Sequence, residues 1–393
     1  MMQRYKTAEE FLSLRRPVDP VRCRRPFAVL RAADWFHNRF SGELIYAVKA
    51  NTSPFVIEAL NASGVQRFDV ASLTEVETIY HSVPGAELFY MNPVKSRAHI
   101  RSAYFDYGVR TFSVDHVDEV HKILEVTENA NDLSLFVRLH CNDRGSVLPL
   151  GKKYGAEGRA AVELLQLVRS VAARLGVTFH VGSQALEPAR FGEAIHHAAD
   201  LVRRAGVVAE LMNVGGGFPA CYRASDPVDL GIYIDVIETA ISAMPMVHDA
   251  QLFAEPGRAL SAEAESLIVR VDARRGHELF INDGGYGVLY DAANCDWIFP
   301  ARLIGDGGAC YAEGLEAFSF WGPTCDAADR MKGPFLLPGH VAEGDYLEIH
   351  KTGAYGSVMA SGFNGFGCYE EIELEDEVML SNFLPNYEAA SVG

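Results

Sequence analysis

The sequence predicts an α/β protein: a (β/α)8, TIM-like barrel followed by an antiparallel β domain. Three observations carry this expectation. From about residue 27 to 260, eight short apolar runs alternate with longer stretches of helical periodicity. Past residue 262 the pattern changes to short β-rich runs broken by Gly and Pro. Most apolar runs of the first region also end on a polar residue or a glycine, at the strand ends where barrel enzymes collect their functional groups.

The strand candidates are LIYAVKA (44–50), RFDVAS (67–72), LFYMN (88–92), TFSVD (111–115), LFVRLH (135–140), VTFHVGS (177–183), ELMNVGGG (210–217) and QLFAEPG (251–257). Helical segments such as SPFVIEALNAS and GRAAVELLQLVRSVAARLG fall between most of them. An open doubly wound sheet satisfies the same alternation. The barrel is expected over 26–262 and the β domain over 263–393, where SLIVRVDA, ELFINDG, FSFWGP, DYLEIHK and YGSVMASGF read as strands. Residues 1–25 lack the barrel pattern and are expected to join the second domain.

With 393 residues, 49% of them apolar, the chain suits two domains with sizeable cores. A formal charge of −17 repels nucleic acid and anionic membranes, whereas a small cationic substrate fits. No apolar stretch is long enough to span a bilayer, and MMQRYKTAEEF lacks the apolar core of a signal peptide, so a cytoplasmic location is expected. Seven cysteines, at 23, 141, 221, 295, 310, 325 and 368, form no C-x-x-C pair and no metal-finger spacing. Most are expected to be buried thiols, Cys325 excepted.

Lys49, Asp69, Arg138, His180, the glycines Gly215, Gly216 and Gly217, and Glu255 stand at strand ends and would converge at the barrel mouth. Lys49, inside an apolar strand, must snorkel to solvent, pair with a carboxylate or do chemistry; desolvation makes an amine a usable imine-forming nucleophile. The three glycines suit either a phosphate cradle or a tight strand-ending turn. They are not a dinucleotide fingerprint, because FPACYRASDP does not open a helix. Glu255 in AEPGRAL suits the nitrogen of a pyridine ring, with the Gly257 amide and Arg258 beside a phosphate; a structural Glu–Arg pair is the other reading.

In order along the chain, YAVKAN, FDVAS, FHVGSQ, NVGGGFP, AEPGR, WGPTCDAADR and GAYG resemble the fold type III decarboxylases. That group comprises the ornithine, lysine, arginine and diaminopimelate decarboxylases, related to alanine racemase. The resemblance covers about residues 27–370, and WGPTCD with NDGGYG is most similar to the ornithine/lysine branch. It implies pyridoxal 5'-phosphate as cofactor, no metal, and a homodimer with shared sites. Lys49 would attach the cofactor, Glu255 would face its ring nitrogen and His180 would stack on the ring. Asp69 and Arg138 would help hold lysine and ring, while Ser183, Gly215, Gly216, Gly217, Gly257, Arg258 and Tyr355 would hold the phosphate. Cys325 would protonate the α-carbon and Asp326 bind the distal ammonium, both serving the other subunit. Lys153 and Asp329 match positions that pair across that interface.

One segment departs from the pattern. NDGGYGVLYDAANCDW offers Asp291 and Asp296 where the family supplies a second acid to the substrate, with Asp291 beside Tyr290 the better fit. Tyr286 belongs to the same substrate set, and Phe363 suits the apolar surface facing the substrate carboxylate. The implied reaction is decarboxylation of L-ornithine, giving putrescine, and of L-lysine, giving cadaverine. Arginine or diaminopimelate decarboxylation and a non-catalytic homologue of the same fold are the alternatives. Acidic Asp326 argues against diaminopimelate, whose distal carboxylate it would repel, and retention of the lysine, glutamate, glycines and cysteine argues against a non-catalytic chain.

Overall fold

The structure is a computed structural model of the chain and describes residues 2–223, 228–305 and 314–383. Cys310 lies outside them. Two units are distinguished: Ala32–Pro219 with Val228–Ala259, and Met1–Arg31 with Ala220–Pro227 and Leu260–Gly393.

The first unit closes a parallel barrel from β1 (Glu43–Ala47), β2 (Arg67–Val70), β3 (Glu87–Tyr90), β4 (Thr111–Val114), β5 (Ser134–Arg138), β6 (Arg174–Thr178), β7 (Ala209–Asn213) and β8 (Met246–Ala254). Neighbours follow chain order, with β8 pairing β1 to close the ring. Closure excludes the open-sheet alternative. Parallel strands covered on both faces read as near-continuous apolar runs, as ELIYA and TFSV do. Ile45, Phe89, Phe136 and Leu211, one each from β1, β3, β5 and β7, share a buried cluster with Met91 and Phe253. Layers drawn from alternate strands are how a filled barrel packs. Gly176 on β6 makes room for this layer, since a Cβ there would lie 2.5 Å from the Phe136 ring.

Two element boundaries differ from the sequence expectation. Lys49 does not lie in a strand: β1 ends at Ala47 and Val48–Ala50 forms a single 3-10 turn. Buried Asn51 closes that turn, its N–H donating to Val48 O at 3.1 Å and its carbonyl accepting from the Tyr46 hydroxyl at 3.0 Å. The helix beginning at Gly158 stops at Val171, and ARLG does not continue it. The Ala173 N–H donates to Leu133 O at 2.9 Å, so sheet pairing takes over and β6 starts at Arg174. VTFHVGS therefore straddles a strand end, with His180 two residues beyond β6.

The second unit holds a nine-stranded sheet whose main path runs Arg4–Tyr5, Glu370–Leu374, Val21–Arg24, Glu265–Arg275, Glu278–Ile281, Leu315–Trp321 and Arg330–Pro338. Tyr346–Ile349 bridges Glu265–Arg275 to Ala301–Leu303. The hairpin-like pairs are antiparallel, as local patterning leads one to expect. Three pairings are parallel: Arg4–Tyr5 with Glu370–Leu374, Glu370–Leu374 with Val21–Arg24, and Glu278–Ile281 with Leu315–Trp321. All three join strands distant in sequence, which local periodicity does not report. Fully buried Arg25 ties the N-terminal segment into this unit by donating to Ser266 Oγ at 2.7 Å, Glu348 Oε1 at 2.9 Å and Asp376 Oδ1 at 2.7 Å.

Of the described cysteines Cys23, Cys141 and Cys221 are buried, Cys295 is half-buried, and Cys325 and Cys368 are exposed. With Cys325 set aside, three of the five other described cysteines are buried. Among the described residues no helix is long and apolar enough to cross a membrane.

Candidate active site

The rim of the barrel at the C-terminal ends of its strands gathers the expected residues, beginning with Lys49. Its turn directs the amine toward the next strand, where Nζ donates to Asp69 Oδ2 at 2.5 Å. Asp69 faces Ala47 across the β1–β2 pairing. The lysine side chain keeps 42% of its surface exposed while that of Asp69 keeps 3%. The amine is thus held by a buried carboxylate yet open to a reactant.

Across the mouth, Asn213 at the end of β7 organises two groups at once. Its Nδ2 donates to Glu255 Oε1 at 2.6 Å, and its Oδ1 accepts the Gly215 N–H at 2.8 Å. The Glu255 N–H donates to Gly215 O at 2.8 Å, which locks the glycine turn to the end of β8. Burial, reinforced by the nearby Asp69 charge, pushes the Glu255 carboxyl up to about 7, while Lys49 and Asn213 oppose the rise. A carboxyl poised there holds or yields a proton near neutrality.

Glycine is required in the turn for steric reasons. Gly215 has φ +68°, and a Cβ on it would lie 1.9 Å from Phe179 O. Gly217 has φ +109°, with Gly182 O 2.4 Å from its would-be Cβ. The Gly215 amide is already bonded to Asn213, so this residue shapes the turn and does not offer that N–H to a phosphate. His180 closes the ring side: a Cβ at Gly216 would lie 3.1 Å from its Nε2. Its Nδ1 accepts the Gly182 N–H at 3.0 Å, which leaves the proton of the neutral ring on Nε2. Burial first, then the Arg138 and Lys49 charges, push this imidazole down to about 3, so it is neutral at working pH.

Arg258 follows β8 and is buried; its Nη2 donates to Ser183 Oγ at 3.4 Å. Gly257 fits against Ala47 and Ala50, whose Cβ atoms would lie 3.2 and 3.0 Å from a Cβ placed there. A guanidinium, a hydroxyl and backbone amides without side chains suit a phosphate. A near-neutral carboxyl, a neutral imidazole and an accessible amine suit a protonatable aromatic ring bearing a carbonyl. The donor set fits pyridoxal phosphate.

The second unit carries a separate cluster. Cys325 and Asp326 lie in the turn between the strands Leu315–Trp321 and Arg330–Pro338. Asp326 Oδ2 accepts the Tyr286 hydroxyl, and Oδ1 accepts the Ala328 N–H at 2.9 Å. The Ala328 amide and the Tyr286 hydroxyl hold this carboxyl below its ordinary range. The Tyr286 ring packs on Phe363 with centroids 4.6 Å apart. Tyr355, the residue before the helix Gly356–Met359, has left-handed backbone at φ +64°. Tyr290 and Asp291 begin the helix Tyr290–Asn294, with Asp291 8% exposed, whereas exposed Asp296 pairs with Lys332 Nζ at 2.9 Å.

One expectation needs revision and three residues are new. Asp329 is 1% exposed, its carboxylate accepting from the Gly285 N–H and the Thr324 hydroxyl of its own chain, and Lys153 is exposed. Gly215 is a conformational residue, as described above. Asn213 obeys the signal that marks its neighbours, a polar residue ending an apolar strand. Asn364, whose Oδ1 accepts from the Cys325 N–H and Sγ at 3.4 Å each, carries no sequence signal, and the bond of Thr324 to Asp329 is not legible in WGPTCD, because these partners are set by folded loops.

Residues 28–262 match the family model described as pyridoxal-dependent decarboxylase, pyridoxal binding domain. The lysine/ornithine decarboxylase of Selenomonas ruminantium is 31% identical over 343 residues, 85% of this chain and 84% of that protein. Antizyme inhibitor 2 of Xenopus laevis is also 31% identical, over 82% of this chain and 73% of its own length. The crystal structure of lysine/ornithine decarboxylase from Vibrio vulnificus complexed with cadaverine superposes with a TM-score of 0.79 at 29% identity, covering 95% of this chain and all of that one. With the barrel closed, the donor set fitted to its cofactor and the family model spanning more than half the sequence, this chain belongs to the pyridoxal-dependent decarboxylases and is a carboxy-lyase.

Proposed function

We propose that this enzyme decarboxylates a basic amino acid, L-ornithine first and L-lysine second, releasing putrescine or cadaverine. The observation that carries the reading is the adjacency of an exposed thiol, Cys325, and a carboxylate, Asp326, fixed by the Tyr286 hydroxyl. An ionised acid held in place recognises a distal ammonium, and the next residue supplies a proton. Relatives named lysine/ornithine decarboxylase support the substrate class, and so does the cadaverine bound in one of them. Similarity to an antizyme inhibitor supports no activity, so the retained chemistry of Lys49, Glu255, His180 and Arg258 is what favours an enzyme.

In this reading Ser183, the amides of Gly216, Gly217 and Gly257, Arg258 and Tyr355 hold the phosphate, and His180 covers one ring face. When bound, pyridoxal phosphate supplies an electron sink for the pair left at the substrate's α-carbon as carbon dioxide departs. Lys49 would hold the cofactor through its amine, and Asp69 and Arg138 would keep the lysine and ring in place. Glu255 keeps a proton on the ring nitrogen. Cys325 Sγ delivers a proton to the α-carbon. Asp326 and Asp291 bind the distal ammonium; Asp296, paired with Lys332, does not. Phe363 lends an apolar surface that withholds water from the departing carboxylate. Carbon dioxide release measured with ornithine, lysine, arginine and diaminopimelate tests the substrate: ornithine is expected to have the highest kcat/KM, and preference for diaminopimelate would overturn the role of Asp326.

The enzyme is further proposed to be a homodimer in which Cys325 and Asp326 complete the partner's site. Lys49→Ala and Cys325→Ala subunits are then each inactive alone. Random exchange makes about half the dimers mixed, each with one intact site of two, so roughly a quarter of wild-type carbon dioxide release should return. No recovery despite demonstrated exchange would mean that Cys325 serves its own chain.

A further inference from the structure

Between the strand Tyr346–Ile349 and Tyr355 the chain passes through a lysine that the chemistry above does not use. Lys351 is fully buried, and three acceptors surround its amine: Leu380 O at 2.6 Å, Glu263 Oε1 at 3.3 Å and Asn382 Oδ1 at 3.4 Å. A buried ammonium is stable only where such groups replace its water. Glu263, 2% exposed, is satisfied in turn: Oε1 also accepts the Asn382 N–H at 2.8 Å, while Oε2 accepts the Ser381 hydroxyl at 2.7 Å and Arg31 Nη2 at 3.3 Å. Asn382 Oδ1 accepts the Cys221 N–H at 2.9 Å as well. Leu380, Ser381 and Asn382 are thus tied to Arg31, Cys221, Glu263 and Lys351, four places far apart in sequence.

The clasp bears on Tyr355 through a short, stiff stretch of backbone. Lys351 has φ +61° and Tyr355 has φ +64°, and a non-glycine residue keeps a left-handed backbone only where its surroundings fix it. Between the two, the Thr352 N–H donates to Glu265 O at 3.0 Å and the Gly353 N–H to Ala262 O at 3.2 Å. The approach is so close that a Cβ at Gly353 would lie 2.1 Å from Ser261 O. Residues 351–355 therefore move as one piece, and the amine of Lys351 sets where that piece begins. Leu380, which receives the shortest of the three bonds, is itself left-handed at φ +55°.

We propose that Lys351, anchored by Leu380–Asn382 near the C-terminus, is the positioning residue of Tyr355 and thereby sets the affinity for the cofactor's phosphate. This rests on the role assigned above to Tyr355. A buried ion pair that only stabilises the fold is the competing reading of Lys351 and Glu263. The two readings part on ligand chemistry: a displaced Tyr355 weakens a ligand that carries a phosphate and spares one that lacks it, whereas a loosened fold weakens both alike.

The test uses the full chain, freed of cofactor and titrated with pyridoxal phosphate and, separately, with pyridoxal, which has the same ring and aldehyde but no phosphate. Lys351→Met combined with Glu263→Gln removes both charges together, so that neither is left buried and alone. Its Kd for pyridoxal phosphate is expected to rise about tenfold, while its Kd for pyridoxal stays within about twofold of wild type. Asn382→Ala, which deletes one acceptor and leaves the ion pair in place, should shift the same way by a smaller factor. If the double variant does not fold, Asn382→Ala decides the matter. Equal weakening of both ligands would overturn the proposal in favour of a purely structural ion pair, and so would unchanged affinity for both. Tyr355→Phe is the control. Should it bind pyridoxal phosphate as tightly as wild type, the role given to Tyr355 fails and takes this proposal with it; should it lose that affinity while the other two variants keep theirs, the clasp alone fails.

Discussion

Lys49→Ala is expected to lower carbon dioxide release by about four orders of magnitude or more, because the covalent hold on the cofactor and its exchange for the substrate amine are both lost. The lysine amine is the group bonded to buried Asp69 while still reachable from solvent. Removing it also strips a cation from between two carboxyls, Asp69 and Glu255, whose mutual repulsion Lys49 offsets. The variant should therefore bind cofactor weakly and lose the absorbance that borohydride fixes to the Lys49 peptide in the wild type. Normal turnover in this variant would end the assignment of the whole site.

Glu255→Gln should cut turnover about a hundredfold or more while the cofactor still binds, since a neutral amide cannot keep a proton on the ring nitrogen. Loss of affinity alone, with kcat intact, would reduce Glu255 to a positioning role. The same variant has a signature without cofactor. The folded carboxyl sits at about 7 against an ordinary 4.5, so between these values the folded chain holds a proton that the unfolded chain has released. Its contribution favours folding most at pH below about 5 and fades as pH rises toward 7, with a slope of up to about 1.4 kcal/mol per pH unit. Glu255→Gln removes that slope in denaturant titrations of the cofactor-free protein. Asp283, buried and likewise raised to about 7, contributes a slope of the same sign in both proteins.

The residues that carry chemistry in the barrel were legible because each interrupts an apolar run at a strand end, as Lys49, Asp69 and Glu255 do. Asn213 obeys the same rule and its bonds to Glu255 and Gly215 show why it is there. Other features were not legible, and the reason differs from case to case. Lys49 leaves its strand because Asn51 closes a turn, a contact between residues whose propensities do not announce it. ARLG has helical character, but the pull of strand pairing at Ala173 outweighs it. Two of the parallel pairs of the second sheet join strands hundreds of residues apart, beyond any local window.

By itself the sequence determined the alternation of strand and helix, the identity of the lysine, glutamate, histidine and glycines at the strand ends, and the motif order that marks the family. These are local properties: a buried strand must be apolar, a tight strand-ending turn favours glycine, and a reactive amine must be a lysine. Tertiary structure alone decided what the polar groups do to one another. It set Asp69 against Lys49, raised Glu255 by burial, kept His180 neutral, and turned Asp329 inward onto Thr324 and Gly285. Hydrogen bonds and charge interactions depend on distance and on exclusion of water, and both come into being only when distant segments pack together.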